Sequence, residues 1–125
     1  MIAIGVDILT FERLSLSLQD RNFLEKNFTA YEIENSLDEN QAVYFSKIFS
    51  CKEAVFKALK IEADALKSWH EIEIVLQNGK APEAKLSSTL LKRLELPAIQ
   101  IQLSLSYETD LVCAVALAIS GGILE

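Results

Sequence analysis

A long helix through the middle of the chain is the feature that most constrains the fold. From about residue 41 to residue 60, apolar side chains recur every three or four positions, the period of a helix that buries one face. The apolar stripe consists of Tyr44, Ile48, Cys51, Val55 and Leu59, flanked by Phe45, Phe49 and Phe56. The opposite stripe is polar and consists of Ser46, Ser50, Glu53, Lys57 and Lys60. The two stripes predict an amphipathic helix that other elements must cover on one face.

Strand-like segments lie on both sides of this helix. Residues 2–9 form a short, nearly continuous apolar run rich in β-branched residues, which predicts a strand buried on both faces. Residues 99–106 alternate strictly between apolar and polar, and residues 111–119 are apolar throughout. These last two segments predict an antiparallel hairpin that turns around residues 107–110.

A second hairpin is predicted earlier in the chain. Residues 71–77 alternate like a strand, and Asn78-Gly79 supplies the residues that a two-residue turn prefers. The return segment, residues 80–86, contains Pro82 and is therefore expected at a sheet edge.

Shorter helices are expected to connect these strands. Residues 11–26 have a mixed pattern that predicts helix in pieces, and residues 87–96 predict another helix. Thr29 and Glu32 have the spacing of a capping box, in which each side chain bonds the backbone of the other. Helices combined with antiparallel strands predict an α+β fold with one long central helix packed on the sheet.

Length and charge restrict the class of protein. The chain has 125 residues, 50% of them hydrophobic, so residues 1–125 are expected to form a single domain with a real core. No stretch approaches the roughly 18–20 apolar residues of a membrane span, and the N-terminus lacks the basic start of a signal peptide. The formal net charge of −6 disfavours nucleic-acid binding. We expect a cytoplasmic protein with no membrane and no nucleic-acid partner, in which Cys51 and Cys113 are reduced and buried.

One charged residue lies where a charge is costly. Asp7 falls within the apolar run 2–9, on the same face as Ala3 and Gly5. A carboxylate there must be paired, protonated or bound to a cation. Asp7 is therefore either a metal ligand or general base at a strand end, or a helix N-cap or ion-pair residue just past the strand.

The central helix contributes two further candidates. Glu53 and Lys57 are one turn apart in the orientation favoured by surface ion pairs, which stabilise a helix by only about 0.2–0.5 kcal/mol. The functional alternative is a carboxylate ligand with a phosphate-binding lysine one turn away. Mg²⁺ needs few protein oxygens, because substrate phosphates and water complete its shell.

The remaining polar residues are interpreted as structural or solvated. Ser104 and Ser106 lie on the polar face of an alternating strand, and His70 is expected at the surface. The single histidine excludes multi-histidine metal sites. The acid pairs Glu32/Glu34 and Glu71/Glu73 are interpreted as solvated faces.

Several segments together resemble a known family, the small bacterial holo-acyl-carrier-protein synthases, which are single-domain 4′-phosphopantetheinyl transferases. Residues 4–8 with Arg13 downstream resemble the family's Gly-x-Asp-Ile…Arg element, and residues 49–59 resemble its Phe-x-x-Lys-Glu-Ala-x-x-Lys-Ala helix. Residues 71–74 followed by residues 78–80 resemble its Ile-Glu-Val strand and Asn-Gly-Lys turn, and residues 29–32 its Thr-x-x-Glu.

The chain also departs from the family pattern. Ile48 stands where the family usually has arginine, and Lys60-Ile61-Glu62 replaces Gly-Thr-Gly after the helix. Toward the C-terminus, Ser-Tyr-Glu at residues 106–108 stands where the family has Ser-His-Thr. One extra residue also precedes the proline that follows the Asn-Gly-Lys turn. These changes fall on expected coenzyme A contacts rather than on the two acidic residues.

The resemblance implies a function and roles for single residues. Asp7 and Glu53 would bind Mg²⁺, and Lys57, with Lys60 as a further candidate, would contact phosphates of coenzyme A. Arg13 and Arg21 would meet the acyl carrier protein. A serine of the carrier would attack the β-phosphate of coenzyme A and release 3′,5′-ADP, with a carboxylate or a metal-bound water as the base.

Two alternatives from other classes stay open. A divergent homologue could bind carrier protein or coenzyme A without turnover, and a structural protein would use Asp7 and Glu53 only in ion pairs. The resemblance also implies a homotrimer. Apolar residues on both faces of segments 2–9 and 111–119 support an oligomer independently, because so short a chain has few helices with which to cover two sheet faces.

Overall fold

The computed structural model describes residues 1–36, 40–96 and 98–120. This part of the chain contains five strands and five helices, with short 3₁₀ turns at Ser17–Gln19, Ala63–Ala65 and Trp69–Glu71. The strands are β1 (Ile2–Thr10), β2 (Ile72–Val75), β3 (Glu83–Leu86), β4 (Ile99–Tyr107) and β5 (Leu111–Ser120). The helices are α1 (Phe11–Ser15), α2 (Arg21–Asn27), α3 (Ala30–Glu34), α4 (Gln41–Leu59) and α5 (Ser88–Arg93).

The strands form two antiparallel sheets around the central helix. One sheet has the order β1-β5-β4, and the other is the β2-β3 pair. Helix α4 packs across β1 and β5 and contacts β2 with its other side. The α+β architecture, the long helix and the β4-β5 hairpin are thereby confirmed. Among the described residues no helix is long and apolar enough to cross a membrane.

The helix and the sheet approach each other very closely at Gly5. A Cβ atom added there would lie 2.0 Å from the Ala54 carbonyl oxygen and 2.6 Å from the Ala58 backbone nitrogen. Small residues surround this contact on both elements, because Ala54 and Ala58 of α4 and Ala114 and Ala116 of β5 are fully buried. The backbone of α4 therefore rests almost directly on β1.

Within a single subunit, segment 2–9 is buried on one face only, not on both as its apolar pattern predicts. Ala3, Gly5 and Leu9 face the core, but the alternate residues point away from α4, and no described part of the chain covers them. The exposed large residues on this outer face are Ile2 (57%), Ile4 (57%), Val6 (46%) and Ile8 (62%), together with Val115 (38%) of β5. We refer to these five residues as the apolar row.

The prediction that Asn78-Gly79 forms the two-residue loop of the hairpin is wrong, although a β-turn does form at these residues. The β2-β3 ladder ends at the pair Val75–Glu83, so seven residues connect the strands. Within this connection the Lys80 N–H donates to the Gln77 carbonyl at 3.2 Å and closes a β-turn with Asn78 and Gly79 at its centre. Gly79 has a positive φ of 74° and Asn78 does not, whereas the two-residue hairpin turn that Asn-Gly favours requires a positive φ at both.

Two acids predicted to be solvated are buried instead. Glu32 is fully buried, and its Oε1 lies 2.8 Å from Nζ of Lys52, which is equally buried. The Lys52 ammonium also donates to the carbonyls of Trp69 and Ile72 at 2.8 and 2.9 Å. The Ile74 N–H donates to Glu32 Oε2 at 2.7 Å, while the predicted capping box with Thr29 is present at the start of α3. One buried ion pair thus joins α3, α4 and β2.

Glu71 forms the second buried interaction. Its carboxylate accepts two bonds from the Arg93 guanidinium, at 3.0 and 2.9 Å, and a third from the Lys67 N–H at 2.8 Å. Arg93 donates in addition to the Ala65 carbonyl at 2.7 Å. Arg93 thereby connects helix α5 at two points, Ala65 and Glu71, to the segment that follows α4.

The two cysteines differ in burial. Both are free thiols, Cys51 fully buried in α4 and Cys113 partly buried on β5. Burial, with a smaller effect of the Asp7 charge, raises the pKa of the Cys51 thiol to about 12. Cys51 therefore acts as a small apolar core residue.

We predict that Gly5→Ala destabilises the fold by about 3 kcal/mol, because the added methyl group meets helix backbone that cannot rotate away. Chemical denaturation measures the free energy of unfolding. Gly79→Ala is the matched control: it strains a positive φ but has open space around it, so we expect a cost of only about 1 kcal/mol. Equal costs for both variants would contradict the close contact at Gly5.

We predict that Glu71→Gln lowers the melting temperature at pH 7 but not in acid. The Arg93 guanidinium holds the pKa of Glu71 below its ordinary value of 4.5, so the carboxylate stabilises the folded chain above that pH and loses this effect as the pH falls through the folded pKa. The difference from the unsubstituted chain should shrink below about pH 4.5. Glu83→Gln, at an exposed position, should show no comparable difference.

Candidate active site

Asp7 is held at the junction of β1 and α4. Its Oδ1 lies 3.2 Å from Nζ of Lys57, and Ser50 Oγ donates to its Oδ2 at 3.0 Å. The Asp7 side chain is only 14% exposed, whereas that of Lys57 is 48% exposed. Because Asp7 follows Gly5 by two residues, its side chain lies on the same face of β1 and points toward the helix.

Glu53 lies on α4 one turn before Lys57. Burial and the negative charge of Asp7 raise the pKa of Glu53, while the positive charges of Lys57 and Arg13 act in the opposite direction. The predicted surface pair between Glu53 and Lys57 is not what forms, because the Lys57 ammonium bonds Asp7 and the Val6 carbonyl, at 3.2 and 3.0 Å. Two carboxylates from distant segments therefore share one partly dehydrated region.

These donors fit a divalent cation of the magnesium type. Asp7 and Glu53 offer carboxylate oxygens. The negative charge of Asp7 adds to burial in raising the pKa of Glu53, and a bound cation would relieve this repulsion between the two carboxylates. No group of three or more His, Cys, Asp or Glu side chains that could hold a metal exists among the described residues. Two protein carboxylates, completed by water and substrate phosphates, are a set that suits Mg²⁺ better than Zn²⁺.

Lys60 ends α4 in an unusual conformation. It has φ 57° and ψ 38°, the left-handed region in which glycine is usual at helix ends. Its Nζ lies 3.5 Å from the Ile4 carbonyl, two residues from the Val6 carbonyl that Lys57 contacts. Lys57 and Lys60 therefore place two ammonium groups along the outer edge of β1.

A cleft of about 340 Å³ opens beside Glu53. Its walls are apolar, formed by Phe56, Leu66 and Trp69, and Lys26 and Lys67 lie at its rim. The Trp69 ring packs edge-on against Phe56 at 5.8 Å between centroids. An uncharged chain attached to an anionic group would find apolar contact and positive charge together in this cleft.

A second, larger groove of about 770 Å³ lies between the β2-β3 loop and β4. Lys80 and Tyr107 line it, and the ammonium of Lys47 lies 4.2 Å from the centroid of the Tyr107 ring. This cation–π contact occurs at the tyrosine that replaces histidine of the family pattern.

The two arginines occupy different surroundings. Arg13 is exposed on α1 and close enough to Glu53 to affect its pKa. Arg21 is exposed on α2, where its Nε lies 3.5 Å from Glu25, and it borders a depression with Phe28, Ile33 and His70. The structure places Arg13 near Glu53 and places Arg21 at that separate depression.

Sequence reasoning gave no role to Ser50 and Lys52, two residues of α4 that support the candidate site. Ser50 orients Asp7, yet its position in the polar stripe gave no sign that β1 would cover it. Lys52 precedes Glu53 and follows the buried Ile48 by four residues, a spacing that places it on the core side of α4. That spacing was the available signal that Lys52 is buried and needs a partner.

Comparison with known proteins gives matches to one family. Residues 3–116 match the family described as the 4′-phosphopantetheinyl transferase superfamily. The chain is 33% identical to holo-[acyl-carrier-protein] synthase of Caldanaerobacter subterraneus, over 96% of both chains. It is 34% identical to a fatty acid synthase alpha subunit of Dothistroma septosporum, of which it spans only 7%.

Solved structures show the same fold. Helicobacter pylori holo-[acyl-carrier-protein] synthase in complex with coenzyme A superposes with a TM-score of 0.78 at 27% identity, covering 93% of this chain and 99% of that one. The match of the sequence family extends across β1, α4 and most of β5, the elements that carry Asp7 and Glu53 and pack around them. The chain therefore belongs to the 4′-phosphopantetheinyl transferase superfamily.

Proposed function

We propose that this protein transfers the 4′-phosphopantetheine group of coenzyme A to a serine of an apo acyl carrier protein and releases 3′,5′-ADP. The observation that carries the proposal is the convergence of Asp7, Glu53 and Lys57 at one junction of β1 and α4. Relatives of the same length are named holo-[acyl-carrier-protein] synthase, and one solved relative is a coenzyme A complex.

Phosphoryl transfer needs little covalent chemistry from the protein, only position and charge. The serine oxygen forms a bond to the β-phosphorus of the donor, and the bond from that phosphorus to the bridging oxygen breaks. The electron pair leaves with 3′,5′-ADP, and the serine proton passes to water or to a carboxylate of the site. Bound Mg²⁺, held by Asp7 and Glu53, would neutralise charge on the diphosphate.

The lysines supply fixed positive charge for the donor. Lys57 stands one helical turn from Glu53 and is half exposed, so its ammonium can reach a phosphate oxygen on the donor. Lys60 lies next along the same edge and extends the positive region. Electrostatic groups that are already in place cost no reorganisation when the charge develops on the leaving group.

The carrier protein is expected to meet the exposed arginines. Arg13 and Arg21 lie on α1 and α2 at the surface, and Arg13 stands close to Glu53. The chain as a whole has a formal net charge of −6, so each of these exposed arginines offers an acidic partner a favourable point of contact.

We further propose that the protein is a homotrimer. The apolar row presents four large aliphatic side chains of β1 beside Val115 of β5, and nothing in the described part of the chain covers them. Contiguous exposed apolar surface of this kind is typical of a protein interface. The row shares strand β1 with Asp7, so association of copies would place a neighbouring chain close to the site.

We predict that Asp7→Asn and Glu53→Gln each abolish transfer while leaving the fold intact. Mass spectrometry of an apo carrier protein, incubated with enzyme, coenzyme A and Mg²⁺, measures the added phosphopantetheine. EDTA should stop transfer by the unsubstituted chain. Glu83→Gln removes an exposed carboxylate remote from the site and should retain full activity.

Other outcomes of this assay separate the alternatives. Transfer by either site variant, or in excess EDTA, would contradict the metal mechanism. If the unsubstituted chain modifies no carrier but binds coenzyme A in calorimetry, the non-catalytic homologue is the better description. Lys60, which stands in a conformation that glycine prefers, would then be the first residue to examine.

We predict that Ile4→Lys dissociates the oligomer without unfolding the chain, because Ile4 is 57% exposed within one subunit. Sedimentation velocity should show trimer for the unsubstituted chain and monomer for the variant. Leu16→Lys is the matched control, since Leu16 is 80% exposed outside the apolar row. Activity should fall with dilution as the oligomer dissociates, and a fully active monomer at assay concentration would rule out a shared site.

A further inference from the structure

The Lys57 ammonium is bonded to Asp7, one of the two carboxylates proposed to hold the metal. Its Nζ donates to Asp7 Oδ1 at 3.2 Å and to the Val6 carbonyl at 3.0 Å. The other oxygen of Asp7, Oδ2, already accepts from Ser50 at 3.0 Å. Both carboxylate oxygens of Asp7 therefore have partners within the chain.

Lys57 is the one partner that can leave easily. Ser50 is fully buried, whereas the Lys57 side chain is 48% exposed on a flexible four-carbon stem. Asp7 itself is fixed, because Gly5 pins β1 against the backbone of α4. Movement of Lys57 requires no change in the helix or the strand.

The other charges around Asp7 do not replace this contact. Glu53 carries the same negative charge as Asp7 and cannot balance it, and Arg13 acts on Glu53 from α1. Lys60 lies at the Ile4 carbonyl, on the far side of Lys57 from Asp7. Lys57 is thus the cation that balances Asp7 directly.

We propose that Lys57 is a resident counter-ion of Asp7 that is exchanged for the divalent cation, so that metal and coenzyme A each promote binding of the other. The inference rests on the proposed function, since it assumes that Asp7 and Glu53 hold the metal. A divalent cation on Asp7 would stand next to the ammonium and repel it. The released ammonium, which is 48% exposed, is then available to a phosphate oxygen of the donor.

This exchange is reciprocal by thermodynamic necessity. A donor that draws Lys57 away from Asp7 removes the charge that competes with the metal, and the metal frees Lys57 for the donor. Lys57 therefore has opposite effects on the two ligands: it weakens metal binding by the chain alone and strengthens donor binding. A lysine that only binds phosphate has no such double effect.

The test uses Lys57→Gln, with Mn²⁺ as the probe, in isothermal titration calorimetry without coenzyme A. We expect the affinity for Mn²⁺ to rise about fivefold or more, the usual scale of coupling between sites. The affinity for coenzyme A should fall in the same variant, and the factor by which Mn²⁺ raises that affinity should shrink. Unchanged or weaker Mn²⁺ binding by Lys57→Gln would overturn the exchange.

Two further variants make the result specific. Lys60→Gln removes the same charge from the same edge but does not contact Asp7, so its Mn²⁺ affinity should change much less. An equal rise in Lys60→Gln would show a general charge effect and overturn the proposal. Asp7→Asn should abolish Mn²⁺ binding. If the unsubstituted chain binds no Mn²⁺, or Asp7→Asn binds it normally, the metal site of the proposed function fails and the exchange fails with it.

Discussion

The contact of α4 with β1 at Gly5 is the constraint on which the site depends. No side chain separates the two backbones there, since an added Cβ would lie 2.0 Å from the Ala54 carbonyl oxygen. Such an approach fixes both the distance and the register between helix and strand, which larger side chains at the contact would define less closely. Asp7, two residues along the strand, is thereby set against Ser50 and Lys57 of the helix.

A buried ion pair stabilises the other side of α4. Lys52 and Glu32 are both fully buried, and breaking such a pair typically costs about 3–5 kcal/mol because one charge is left without a partner. Burial lowers the pKa of Lys52, an effect that Glu32 opposes, and the carbonyls of Trp69 and Ile72 take its other hydrogens. The ion pair connects α4 to the chain at Trp69, which forms a wall of the cleft beside Glu53.

Periodicity was enough to predict the main elements, because helix and strand repeats are local properties of the sequence. The local sequence pattern could not predict which residues and surfaces contact one another in the fold. The length of the chain indicated that one sheet face would lack a cover within a single subunit, but both faces of β1 carry apolar residues, so the sequence could not show which face it is. Glu53 and Lys57 have ideal spacing for a surface pair, yet Lys57 turns to Asp7, fifty residues earlier in the chain. The placement of their charges marked Asp7, Glu53 and Lys57 as candidates and the motif resemblance suggested their roles, but their contacts required the fold.

The outer edge of β1 limits how copies of the chain can associate. The terminal pair Met1 and Ser120 exchange both backbone bonds, so odd-numbered residues of β1 bond β5 and even-numbered residues turn their backbone groups outward. Lys57 and Lys60 contact two of these outward carbonyls, those of Val6 and Ile4. Lysine on an exposed edge opposes pairing with another strand. These lysines therefore favour the proposed association through side chains of the apolar row over extension of the sheet, and such an association would leave the edge beside Asp7 open to ligands.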